Sequence, residues 1–435
     1  QRPALPRALF RFTSGNTYMS STPRRRPRPA VGCALAVLAC ALAGPAFADP
    51  APSYTDLLAR RHQTPAAAES GALVDAAEAR VRQARVRPNP TLSLTGENLG
   101  GSGPYSGVDA ADLSLSFSQA LELWGRRPAR VNVARAEAGT AALRRDLAMI
   151  DTAGRLALTY AEAEAAQRRA TLAEEALSLA LADARAALAM VEEGREPLLR
   201  GIQAESEAAA ARASLDEARA EQNAAFARLS AVAMLPTPAT SVSASLLDAS
   251  ATLSAPEIDD APTVRVAEAE RTAAERRITV ERINGRPDVT ASVGVTRFGL
   301  EEETALTVGL SLPLPLFDRN RGNIDAARAE FRAAEARVMQ ARQDAGADRA
   351  AAVARLTASA SRVSAADAGV ASADEAYRLS RIGAEAGRIS QLELRVTRTG
   401  LINARAAAVD ARLARVRAEI DLARLDGRAP FQGNP

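Results

Sequence analysis

Leu113-Ser114-Leu115-Ser116-Phe117-Ser118, then Leu121-Glu122-Leu123-Trp124-Gly125, then an arginine- and alanine-rich run without proline from Ala129 to Glu193, is the stretch that decides the fold. The first part alternates apolar and hydroxyl side chains with the period of a strand, and the last part reads as one continuous helix. At 1.5 Å per residue that helix extends about 100 Å, wider than any compact domain. The pattern then recurs. Leu306 to Leu312 alternates in the same way, Leu314-Pro315-Leu316-Phe317-Asp318 makes the corner, and a second helical run starts at Arg321-Gly322-Asn323. Arg135-Ala136-Glu137 matches Arg328-Ala329-Glu330 and Gly194 matches Gly387, both at an offset of 193, which marks an internal duplication.

Working outward, Arg24, Arg25, Arg26 and Arg28 precede an apolar run from Ala30 to Ala43, and Ala46-Phe47-Ala48 follows. This is the pattern of a cleaved secretory signal peptide, with residues 1–18 lying upstream of the first methionine, Met19. The run is too short to span a bilayer. Val37-Leu38-Ala39-Cys40 leaves lipidation of Cys40 as a second expectation. The seven arginines of residues 1–48 stand against no acid, so the remainder carries 48 basic and 52 acidic side chains, and every basic residue is arginine. That mildly acidic balance gives no support to a nucleic-acid partner, which would need a concentrated basic face, and none is expected. The only cysteines, Cys33 and Cys40, fall in the leader, so no disulfide and no thiolate metal site is expected beyond it.

Beyond the leader we expect a first structural repeat over 49–235, a linker over 236–262 rich in Pro, Ser, Thr and Asp, a second repeat over 263–428 and a tail over 429–435. The first repeat reads as a helix ended by Pro88-Asn89-Pro90, a β-hairpin over about 91–118, a long helix 129–193 and a return helix 198–233. The second reads as a helix to about Ile283, a hairpin over about 289–312, a long helix 322–386 and a return helix 391–426. Leu143, Leu147, Ile150, Gly154 and Ala157 follow 4-3-4-3 spacing, as do Leu177, Leu181, Ala184, Leu188 and Val191, which predicts a coiled-coil seam with close helix approach.

The four strands have the length needed to cross a bilayer's apolar core when tilted. One face of each is apolar: Leu92 and Leu94; Leu113, Leu115 and Phe117; Val289, Ala291, Val293 and Val295; Leu306, Val308, Leu310 and Leu312. The other face is Ser, Thr and Gly, almost without charge, so the apolar side is expected to face lipid and the hydroxyl side water. No open sheet edge survives in lipid, and four strands cannot close a barrel around water. Three copies supply twelve. The expected fold is mainly α with a small β part: a trimeric twelve-stranded β-barrel continuous with an α-helical periplasmic tube of coiled-coil helices.

The repeated hairpin and long helix, the Arg87-Pro88-Asn89-Pro90 lead into the first strand, and the Gly194 and Gly387 turns resemble the TolC-like outer-membrane efflux channels. Glu97-Asn98-Leu99-Gly100-Gly101 and Leu121-Glu122-Leu123-Trp124-Gly125-Arg126-Arg127 are similar to the branch serving cobalt–zinc–cadmium export. The resemblance implies a homotrimeric passive duct in outer-membrane lipid, docked on a periplasmic membrane-fusion adaptor and an inner-membrane, proton-driven pump of the resistance-nodulation-division type. It assigns adaptor docking to Gly194, Arg195, Leu198, Leu199, Gly387, Arg388 and Leu392, and a candidate gate to Glu393 with Arg200 or Arg395.

No catalytic constellation is present. His62 is the only histidine and reads as a surface residue, and no glycine-rich phosphate loop joins a strand to a helix. Neither an enzyme nor a cofactor is expected. The dense acidic run Glu301-Glu302-Glu303 lies in the second hairpin loop and reads as solvated. Two alternatives stay open: an exit duct of the same fold for drugs or secreted protein, and a soluble periplasmic coiled-coil adaptor or holdase.

Overall fold

The structure is a computed structural model that describes residues 50–249 and 258–432. The signal-peptide reading, residues 250–257 of the expected linker and the last three residues lie outside the described residues. Among the described residues, seven α-helices and four strands follow in the order α1 (Tyr54–Ala59), α2 (Pro65–Arg85), β1 (Thr91–Glu97), β2 (Asp112–Leu121), α3 (Arg126–Glu192), α4 (Leu198–Val232), α5 (Pro262–Asn284), β3 (Val289–Arg297), β4 (Thr304–Ser311), α6 (Arg321–Glu385) and α7 (Gln391–Leu425). Local chemistry sets the ends. Thr64 caps α2, accepting from Ala67 N at 3.3 Å, with Pro65 at its first position, and Ser390 caps α7, accepting from Glu393 N at 3.2 Å.

The strands form one antiparallel sheet in the order β1-β2-β3-β4. Two hairpins from the two repeats thus lie side by side, joined through β2 and β3. Register keeps like with like: Leu94, Leu115, Val295 and Leu306 form one row across the sheet, and Ser93, Ser116, Gly294 and Thr307 the next.

Below the sheet, α2, α3, α5 and α6 pack as neighbours in that order; farther away the neighbours are α4, α3, α7 and α6. The two long helices, α3 and α6, run through both levels. α3 lies inside each layer and α6 at its edge. Large buried side chains gather between the levels, where Tyr54, Leu57, Tyr160, Phe226, Leu229, Leu413, Val416 and Phe431 form the main core. Tyr54 meets Tyr160 and Phe431 edge-on, at 6.2 and 6.3 Å between ring centroids.

Two features depart from the expected pattern. Residues 236–249 are no free connection: Ala239, Leu246 and Leu247 are buried in that core, and Ala51 bridges Val242. Along the distal half of α3 the expected Ala184, Leu188 and Val191 do meet α4, at Ala204, Ala208 and Gly201, but Ala180 joins them in place of Leu181, which is exposed, and Leu177, which is half-buried. Methyl-sized side chains let two helix backbones approach more closely than leucines allow, so the contact follows the alanines.

Candidate membrane face and helix tips

The sheet is inverted relative to that of a water-soluble domain. Its apolar side chains are the exposed ones: Leu92, Leu306 and Leu310 keep 70 to 72% of their surface and Val308 keeps 76%, with Leu94, Leu113, Leu115, Phe117, Val293, Val295 and Leu312 also exposed. The hydroxyl face is partly covered over β2 and β3 and carries its own hydrogen bonds, Thr91 to Ser118 at 2.7 Å, Ser93 to Ser116 at 2.6 Å and Ser114 to Thr296 at 2.9 Å. Leaving this many large apolar groups in water is unfavourable by about 25 cal/mol per Å². Val289 and Ala291 differ from the expected lipid-facing set: Val289 is buried and Ala291 half-buried. Val289 pairs with Leu121 at the sheet's base, beside the chain's corner, so its apolar surface is taken up within the protein. β1 and β4 each pair on one side only.

Both corners fold alike. Leu123 N donates to Leu121 O and Leu316 N to Leu314 O, each at 2.8 Å, and each corner then presents an aromatic ring, Trp124 half-exposed and Phe317 99% exposed. Arg130 ties the first corner to α2: it pairs with the buried Glu122 at 2.7 Å and donates to Ala84 O and Val86 O.

At the far end the two turns have the same geometry, because Gly194 and Gly387 both adopt φ +69°. Gly194 N donates to Val191 O and Arg195 N to Met190 O; Gly387 N donates to Ala384 O and Arg388 N to Gly383 O. This is the Schellman closure, which needs a left-handed residue that glycine adopts without strain. The turns leave Leu198, Leu199, Ile202, Leu392 and Val396 exposed. Arg195 pairs with Glu193, two residues away, at 3.1 Å, and both are exposed.

The candidate gate residues are not brought together within one chain. Arg200 pairs with Glu196 at 3.7 Å, Arg395 pairs with Glu207 of α4, and Glu393 is exposed with no ion pair among the described residues. His62 and Glu301 to Glu303 are exposed, and no group of three or more His, Cys, Asp or Glu is placed to hold a metal ion among the described residues. No described helix is long and apolar enough to cross a membrane.

Sequence reasoning missed two organising acids. Asp112 joins the hairpin loops, accepting from Asn98 Nδ2 at 2.8 Å and from Gly299 N at 2.9 Å. Glu164 on α3, 5% exposed, accepts from Leu246 N at 2.8 Å, Leu247 N at 3.0 Å, Ser245 Oγ at 2.8 Å and Arg168 at 2.7 Å, and so pins residues 245–247. On α3, α5 and α6 a groove below the sheet carries Arg130, Glu137, Arg277 and Glu330, with Arg277 and Glu137 paired at 2.6 Å.

A sheet with its apolar side outward, standing on helices of about 100 Å that end in paired glycine turns, defines a class of membrane-embedded strand-and-helix proteins. The sequence model described as "Outer membrane efflux protein" matches residues 54–233 and 257–428, and the chain belongs to that family. Two curated relatives are each 39% identical. The nickel-cobalt-cadmium resistance protein NccC of Alcaligenes xylosoxydans xylosoxydans matches over 78% of this chain and 78% of its own, and the nickel and cobalt resistance protein CnrC of Cupriavidus metallidurans over 74% and 77%. Among solved structures, the outer membrane protein VceC of Vibrio cholerae superposes with a TM-score of 0.70 at 21% identity, covering 86% of this chain and 96% of its own. The channel CusC gives 0.74 at 20%, covering 86% and 92%.

Proposed function

We propose that the protein is the passive exit duct of a tripartite efflux system that expels divalent heavy-metal cations. The observation that carries this reading is the inverted sheet with its two unpaired edges. A four-stranded sheet is stable in lipid only when its edges are paired. Three copies make twelve strands, with the hydroxyl face lining water and the helices continuing the duct through the periplasm. The residues 49–235 and 263–428 act as its two structural repeats. The resistance named for NccC and CnrC supports nickel, cobalt or cadmium as cargo.

In this reading the paired turns dock the adaptor. Leu198, Leu199 and Leu392 offer apolar contact, with Arg195 and Arg388 beside them and Gly194 and Gly387 holding the shape. The adaptor in turn meets an inner-membrane, proton-driven pump of the resistance-nodulation-division type. Glu393, exposed and without an ion pair among the described residues, meets Arg200 or Arg395 of a neighbouring copy and narrows the tip. Arg200 is the more available partner, because Arg395 is already held by Glu207.

Fractionation of cells expressing the tagged protein, with unheated gel electrophoresis of the detergent extract, tests the duct. An outer-membrane trimer is expected, together with loss of nickel, cobalt and cadmium tolerance on gene deletion. A soluble periplasmic monomer would sink the reading in favour of an adaptor or holdase, and unchanged metal tolerance with a trimeric channel would remove the cargo.

A further inference from the structure

The two repeats allow the missing contact at the sheet edge to be read from the one that is present. β2 and β3 meet inside the chain, and their meeting point is fully described. Arg286 sits with its guanidinium 5.5 Å from the Trp124 ring centroid, Trp124 Nε1 donates to Pro287 O at 3.3 Å, and Arg126 donates to Arg286 O at 3.1 Å while pairing with Asp288 at 3.0 Å. Each participant has a counterpart at the open edges. Trp124 and Arg126 correspond to Phe317 and Arg319 at the end of β4, by the same offset of 193 that relates the long helices. Arg286-Pro287-Asp288 leads into β3 as Arg87-Pro88-Asn89 leads into β1, and Thr290 and Ser292 then match Thr91 and Ser93.

In the single chain these counterparts are bare. The Phe317 ring is 99% exposed, and Arg87 and Arg319 are exposed. We infer that β1 of a second copy docks on β4 in the register that β2 and β3 already use, placing the partner's Arg87 over Phe317 and its Ser93 opposite Ser311. This rests on the duct reading and adds the register and the latch to it.

The register follows by translation. Ser118 lies opposite Ser292 and Gln119 opposite Ala291, so Ser311 falls opposite Ser93 and Leu312 opposite Leu92. Apolar rows and hydroxyl rows then continue unbroken around the closed sheet, whereas a slip of one residue sends leucines to the hydroxyl face. Pro313 and Pro90 have no N–H to donate, so the ladder between copies begins at Leu312, which agrees with β4 ending at Ser311 and β1 starting at Thr91. The cation over the ring favours the same placement, since an exposed guanidinium is drawn to an aromatic face.

The test uses the full-length protein in the cell envelope with paired cysteines. Directly opposite residues on neighbouring strands come within disulfide reach, while diagonal pairs at about 7–8 Å do not. Ser93→Cys with Ser311→Cys is expected to give species of two and three chain masses on a heated non-reducing gel. Thr95→Cys with Ser311→Cys, and each single variant, are expected to give the background of the unmodified chain. Linkage through Thr95→Cys instead would overturn the register. No linkage by either pair, with a trimer still seen unheated, would overturn the docking and leave the duct standing; a monomer on the unheated gel would remove both. For the latch, Arg87→Ala, Phe317→Ala and the double variant are expected to lower the trimer's dissociation temperature by the same amount. Additive shifts would show that the two side chains do not meet.

Discussion

Replacing Glu164 with alanine should open residues 244–249 locally while leaving the long helices intact. The carboxylate lies in the core with 5% of its surface exposed and takes four donors, two of them the backbone amides of Leu246 and Leu247. Leu247 itself is fully buried, so no water reaches in to replace the lost acceptor. A hydrogen bond to a charged group contributes about 1.5–3 kcal/mol, and an orphaned buried donor costs about 1–3. Arg168 and Ser245 keep Asp248 as an alternative, so the loss is dominated by the two amides, at roughly 4 kcal/mol. That corresponds to about a thousandfold rise in the open population of the segment. Hydrogen exchange followed by peptide mass spectrometry reads it directly: protection over residues 245–248 should fall about a thousandfold, with residues 180–190 of α3 unchanged. Glu164→Gln retains one acceptor oxygen and should fall between. Unchanged protection in Glu164→Ala would refute the role of the carboxylate, and an equal loss along all helices would show that it holds up the whole fold instead.

Three further outcomes follow from the same geometry. The hydrogen bond from Arg168 holds the Asp248 carboxyl below its usual range, with burial opposing and Ser245, Arg168 and Arg412 assisting, so its stabilising contribution is present above the ordinary carboxylate pKa of 3.8 and is lost as pH falls through the lower folded value; because the carboxylate is half-exposed, that contribution is small, and the fall in protection of residues 245–249 below about pH 4, corrected for intrinsic exchange, should be slightly smaller in Asp248→Asn than in the unmodified chain. Phe117→Arg puts a charge on the exposed apolar face, which at mid-bilayer costs about 2–4 kcal/mol, so the unheated trimer should fall sharply in outer-membrane fractions while Ser116→Arg, on the hydroxyl face, leaves it; equal effects would reverse the assignment of the faces. Glu393→Ala should raise single-channel conductance in a planar bilayer, and an unaltered conductance would remove Glu393 from the gate.

What the sequence revealed and what it hid divide along physical lines. Long helices and strands were legible because their signals are local: no proline from Ala129 to Glu193, and period-two alternation through Leu113 to Ser118. The glycine turns were legible for the same reason, since a left-handed residue after a helical run predicts its own closure. The segment 236–249 was not. Its composition is that of a loop, and the carboxylate that fastens it lies some 80 residues earlier, on a helix face where Glu164 and Arg168 look like an ordinary solvated pair four residues apart. The seam held at Gly154, Ala157, Ala184, Leu188 and Val191 but not at Leu177 and Leu181. Hydrophobicity favours Leu177 and Leu181 over their alanine neighbour, but the distance between backbones decides the contact, and it adds Ala180 to the expected Ala184. The ion pair of Arg395 with Glu207 was equally hidden, because it depends on how α7 lies against α4.

An alanine seam such as that between α3 and α4 fixes spacing better than register. Alanine rows look alike at every turn, so they favour close packing without fixing how far one helix slides along another. Between the two repeats, where α3 meets α7, charge adds to the packing of Leu413, Val416 and Ile420 in fixing the register. Asp151 pairs with Arg424, Glu162 with Arg417, Arg169 with Asp410, Glu175 with Arg405 and Asp183 with Arg398, so that as α3 is followed away from the sheet its partners on α7 step back in sequence. Each exposed pair alone contributes at most about 1 kcal/mol, yet a slide by one turn breaks all five together. Arginine suits this role better than lysine because its planar fork serves two acids at once. Arg405 holds Glu175 of α3 through one nitrogen and Asp374 of α6 through another, and Arg412 joins Asp248 to Asp367. The guanidiniums therefore link three helices and the core segment, and carry the fixed register along α3 beyond the reach of the large core side chains.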